Sequence, residues 1–81
     1  MTAKLFDPET HSALQQLMDE TIEALQLAKE SPDVDDLAAT FAVALLKIGL
    51  ATSFAEQKYA GFSADVEEKR QRVLSALIPR H

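Results

Sequence analysis

Few of the 81 side chains are of the kinds that do chemistry, and their spacing works against it. There is no cysteine, and the two histidines are His11 and His81. A nucleophile–base pair would need His11, in the opening turns of a helix, or the last residue, a position where side chains are seldom held in place. The only glycines, Gly49 and Gly61, stand too far apart to form a phosphate-cradling loop. The run Asp33-Val34-Asp35-Asp36 has carboxylates in the manner of a calcium loop but lacks its glycine and distal glutamate, and apolar Leu37 and Ala38 follow at once. Those acids read better as first-turn residues of a helix, where the macrodipole favours negative charge. The sequence thus assigns no catalytic residue, no cofactor and no metal ligand, and the expectation is a protein that is not an enzyme.

What remains is recognition. Residues 1–36 carry nine acidic and two basic side chains, and residues 37–81 carry four acidic and six basic. This asymmetry suits attraction between the ends of the fold or across a dimer, or an acidic face offered to another protein. Two partner surfaces follow as expectations. One is the outer face of the first helix, with Asp19, Glu23 and Glu30; the other is the third helix near Arg70, which falls inside an apolar stripe. The net charge of −5 opposes generic nucleic-acid binding, which relies on neutralising phosphates.

The elements that would carry these residues are helical throughout. Asp7-Pro8 is a helix start, with Asp accepting free N–H groups and Pro at the first helical position. Leu14, Leu17, Met18, Thr21, Ala24, Leu25 and Ala28 then form one apolar face. Ser31-Pro32-Asp33 interrupts the pattern, with Ser31 or Asp33 as the next N-cap. So short a connection makes the first two helices an antiparallel hairpin. Gly61 suits a left-handed helix end with Phe62 turning back inward, and Ser63 suits the N-cap of a third helix that stops before Pro79. Val66, Val73, Leu74 and Leu77 form its apolar side, and Asp65–Lys69 and Glu68–Arg72 have the favourable i,i+4 order. Met1 to Phe6 reads as an arm docked through Leu5 and Phe6.

The chain is organised around Leu37 to Ala55, which carries one charge, Lys47. On a helical wheel Leu37, Phe41, Leu45, Ile48 and Thr52 share one face, and Ala39, Val43, Leu46, Leu50 and Phe54 share the opposite one. Asp36, Thr40, Lys47 and Lys58 form a narrow polar strip between them. Two apolar sides predict a helix buried on both. The Leu37–Ile48 side is expected to meet the other two helices, and Ala39, Val43, Leu46, Leu50 and Phe54 a second copy. Small residues at Ala39, Ala42 and Gly49 would let two backbones approach.

Two rival readings fit the sequence less well. The central stretch is just long enough to span a bilayer, but Lys47 near its middle costs about 2.5–3.5 kcal/mol there, so no membrane is favoured. A DNA-binding helix-turn-helix regulator would use Gly49 as the turn and present Ser53, Gln57 and Lys58, but the apolar stripes run through Gly49 without a phase shift. The MTAKLFDPE start lacks the apolar run of a secretory signal, which with the missing cysteines suggests a cytoplasmic protein. The expectation is a single all-α domain over 1–81: an antiparallel helical hairpin plus a shorter third helix (about 8–30, 33–60 and 63–78), assembled as a dimeric helical bundle. Its role would be that of a small adaptor, inhibitor or regulator acting by binding, with itself and an unidentified protein as partners.

Overall fold

The first two helices begin where an aspartate accepts from their free amides, and the third begins at a left-handed glycine. The Asp7 carboxylate accepts from the Thr10 N–H at 3.2 Å and from the Thr10 hydroxyl at 2.6 Å, and α1 runs from there over Pro8–Lys29. The Glu30 and Ser31 amides close its end by bonding back to the Leu27 and Ala28 carbonyls. Of the two expected caps it is Asp33 that opens α2, Val34–Lys58, by accepting from the Asp36 N–H at 2.8 Å. Ser31 instead donates its hydroxyl to the Leu27 carbonyl. α2 is unbroken through Gly49, so there is no turn there for a helix-turn-helix. Gly61, at φ +96°, makes the left-handed turn that side chains resist, and α3 follows over Phe62–Leu77. These helices come from a computed structural model that describes residues 5–78, and no strand occurs among the described residues.

α1 and α2 pack as the predicted antiparallel hairpin, but on a different face of α2 from the one expected. The α1 side is Thr10, Leu14, Thr21, Ala24 and Ala28, all buried and spaced at three, four and seven residues. The α2 side is centred on buried Ala44 and Ala55, with Thr40, Lys47 and Ala51 half-buried beside them. The strip taken for a polar escape therefore faces α1, while Phe41, Leu45 and Ile48 lie on its flank and stay exposed. The reason is size. Alanines let two helix backbones come close, and Lys47 reaches past them to hold the Glu20 carboxylate at 2.7 Å. Among the described residues the buried apolar side chains are one leucine and four alanines: Leu14, Ala24, Ala28, Ala44 and Ala55.

α3 does not join this hairpin as a third stave. No Cα of α3 lies within 8 Å of one in α1, and its contacts with α2 are few. The expected meeting of α1 and α3 on a shared side of α2 is therefore corrected. The chain measures 48 × 44 × 17 Å, and 17 Å is little more than the roughly 10–12 Å diameter of one helix with its side chains. The three helices form a single layer, and α2 has both flanks open instead of buried.

Candidate functional site

The surfaces that could act are the two faces of the hairpin, and the helical repeat assigns residues to each. With Ala44, Ala51 and Ala55 directed at α1, Val43, Leu46, Leu50 and Phe54 fall on one flank of α2, termed here the back face. Phe41, Leu45, Ile48 and Thr52 fall on the other, the front face. The expected dimer residues Ala39, Val43, Leu46, Leu50 and Phe54 thus lie together on one side. Leu46 is 61% and Leu50 48% exposed. Phe54 is half-buried, with the Lys58 ammonium 5.7 Å from its ring centroid. Leu27, which the sequence places off the apolar face of α1, borders a hollow of about 230 Å³ on this side with Val43 and the Glu20–Lys47 pair.

The front face carries a larger groove of about 550 Å³. Leu14, Thr21 and Ala55 form its floor, and Met18, Ile22 and Ile48 are among its walls. Phe62 and Val66, from the root of α3, close one end together with Phe6. Phe6 meets Phe62 edge-on with ring centroids 5.9 Å apart, so the expected docking of the arm rests on Phe6. Leu5 is 87% exposed, and Met1 to Lys4 lie outside the described residues, as do Pro79 to His81. His11 borders the same groove.

Between hairpin and α3 sits an elbow that sequence reasoning missed. The Glu56 carboxylate accepts from the Gly61 N–H at 2.9 Å and from the Ser63 N–H at 2.8 Å. A side chain of α2 thereby does the capping expected of Ser63, and these amides hold the Glu56 carboxyl below its usual range. The sequence signal was a glutamate just over one turn before a left-handed glycine, a pattern that spacing alone does not single out. Glu20 was missed for a similar reason, since nothing local points it at a lysine 27 residues away.

The expected partner surfaces are not brought together. Asp19, Glu23 and Glu30 are exposed on α1, and Glu23 borders the hollow that Leu27 shares with Val43 and Lys47. Arg70, on α3, makes a two-pronged contact with Glu67 of its own helix at 3.0 and 2.9 Å. That contact, with the Gln71 amide, holds the Glu67 carboxyl down to about 2. Glu68 and Arg72 form the predicted i,i+4 pair. Asp33 is occupied as a cap, and among the described residues no three His, Asp or Glu side chains gather as a metal would require. By length and composition α2 is apolar enough to cross a membrane.

No protein-family model matches the chain, and no curated protein or solved structure does.

Proposed function

We propose that this protein is a small protein–protein interaction module that works as a homodimer, an adaptor, inhibitor or regulator that acts by binding and operates in the cytoplasm. The observation that carries the reading is the composition of the interior. Four of its five apolar residues are alanines, while Leu45, Leu46, Leu50, Ile48 and Phe41 are about half exposed or more. Burying one large apolar side chain stabilises by about 1.5–3 kcal/mol, and a domain stands on about 5–15 kcal/mol in all. Most of the side chains able to supply that margin are on the outside, open to cover by another chain.

Area supports the same reading. A folded monomer of 8.9 kDa exposes about 4,800 Å², whereas this chain exposes 6746 Å². The excess, up to roughly 1,900 Å² per chain, is of the order that obligate dimers bury on each side. The proposed contact is the back face, with Ala39, Val43, Leu46, Leu50 and Phe54 meeting their two-fold equivalents. Acidic Asp19, Glu23 and Glu30 and the Arg70 region of α3 stay available to a further protein. Sedimentation equilibrium at micromolar concentration tests the reading. Two or more associated chains are expected, and Leu50→Asp should remove the back-face contact by setting a carboxylate at its centre. A wild-type mass of one chain would sink the proposal.

A further inference from the structure

Beyond its root, where Phe62 and Val66 border the front groove, α3 is a helix with nothing beneath it. Val66, Val73, Leu74 and Leu77 are all exposed, and α3 does not approach α1. A lone helix of 16 residues is marginal in water, so its apolar stripe needs cover if α3 is to persist. The front groove offers a surface of the right kind, since its floor and walls are Leu14, Met18, Ile22, Ile48 and Ala55. The lengths agree as well: Val66 to Leu77 on α3 and His11 to Ile22 along the α1 side of the groove each span about 17 Å at 1.5 Å per residue.

Beyond Val66, which borders the end of the groove, the chain's own α3 is held away from it. Only Tyr59, Ala60 and Gly61 separate α2 from α3. Gly61 is committed to its left-handed turn, and Glu56 ties the Gly61 and Ser63 amides so that α3 leaves in the plane of the hairpin. We propose that the front groove of each chain receives α3 of a second copy, in reciprocal exchange. The inference rests on the homodimer reading for its premise that copies associate, and it adds a second contact on the opposite face of the hairpin. Geometry allows the exchange because hairpin and α3 lie side by side in one layer 17 Å thick. A copy turned over by a two-fold axis and shifted sideways lays its α3 over this hairpin and its hairpin over this α3. The result has the two packed layers that a single chain lacks. The back face stays free for the first contact, so chains that use both build a tetramer from two kinds of two-fold interface.

Full-length wild type and three variants, measured by sedimentation equilibrium, separate the two contacts. Wild type should sediment as four chains, Leu50→Asp and Leu74→Asp as two each, and the double variant as one. Because Leu74→Asp could simply unravel α3, a second measurement uses wild type alone. In a mixture of ¹³C-labelled and unlabelled copies, methyl NOEs between chains are expected from Ile22 or Ile48 to Leu74 or Leu77. A wild-type assembly of two chains without those NOEs overturns the exchange and leaves the back-face dimer standing. Two chains with them keeps the exchange and discards the back-face contact. The same NOEs found only within one chain show α3 folded onto its own groove and overturn the exchange, and a single-chain mass overturns both readings.

Discussion

Lys47 shows how much one side chain can decide in a hairpin built on alanines. Its ammonium meets Glu20 at the edge of the seam, where both side chains keep about a third of their surface in water. Such a pair adds little net stability but opposes any slip that would strand either charge. Lys47→Met, which keeps the apolar stem, should melt close to wild type, while Lys47→Glu should melt lower, most clearly at low salt. A cap is worth more than this pair. Asp33→Ala should cost about 1 kcal/mol, a fall in Tm of about 4–8 °C, whereas Asp35→Ala should change little. The carboxylates also set the acid limit. Asp7, Glu20, Glu56 and Glu67 are all held below their ordinary values, by Thr10, Lys47, the elbow amides and Arg70 respectively. A lowered carboxyl favours the folded state only while it is charged. The stability these groups add is therefore present above the ordinary carboxyl values of 3.8 and 4.5 and lost as pH falls toward about 2, where Glu67 protonates. Urea midpoints should be level down to about pH 5 and decline below it.

At the scale of elements, α2 is the piece that the others answer to, and its seam tolerates no added bulk. Ala44, only 3% exposed, faces α1 closely enough that Ala44→Leu should cost about 1–3 kcal/mol by forcing the helices apart. Urea unfolding would read that loss directly, and an unchanged midpoint would mean the seam is looser than its burial implies. The elbow is the other fixed point. A side chain at Gly61 meets no neighbouring atom within 4 Å, so its penalty comes from the positive φ alone. Gly61→Ala should therefore cost about 1 kcal/mol with little change in helix content. Glu56→Gln keeps the shape of the side chain but weakens what it offers the two amides. Hydrogen exchange at Gly61 and Ser63 should then quicken, while amides in the middle of α2 keep their protection.

The whole molecule is a single layer of helices. Its radius of gyration, 15.6 Å, exceeds the roughly 11.7 Å of a compact domain of this length. Apolar groups line both of its broad faces. A chain whose large side chains are buried only by association has a stability tied to its concentration. Melting temperature should accordingly rise with protein concentration over a hundred-fold range. A Tm that stays constant over that range would show the hairpin standing by its own alanine seam, with the exposed leucines idle.

Helix number, order and ends were legible in the sequence because they depend on neighbours in the chain. Asp7 and Asp33 reach amides three residues on, Pro32 breaks the first run, and Gly61 takes a turn that other residues resist. The apolar face of α1 was legible in part: Leu14, Thr21, Ala24 and Ala28 are buried as the spacing predicts, whereas Met18 and Leu25, read onto the same face, stay exposed. α2 was different, for it offers two flanks of large apolar residues and a strip of small and polar ones between them. Hydrophobicity ranks the flanks first. Tertiary packing chose the strip, because alanine against alanine permits close approach and Glu20 was waiting across the seam for Lys47. That choice left Phe41, Leu45, Ile48, Leu46 and Leu50 outside, and turned what read as a core into the surfaces proposed here for other chains.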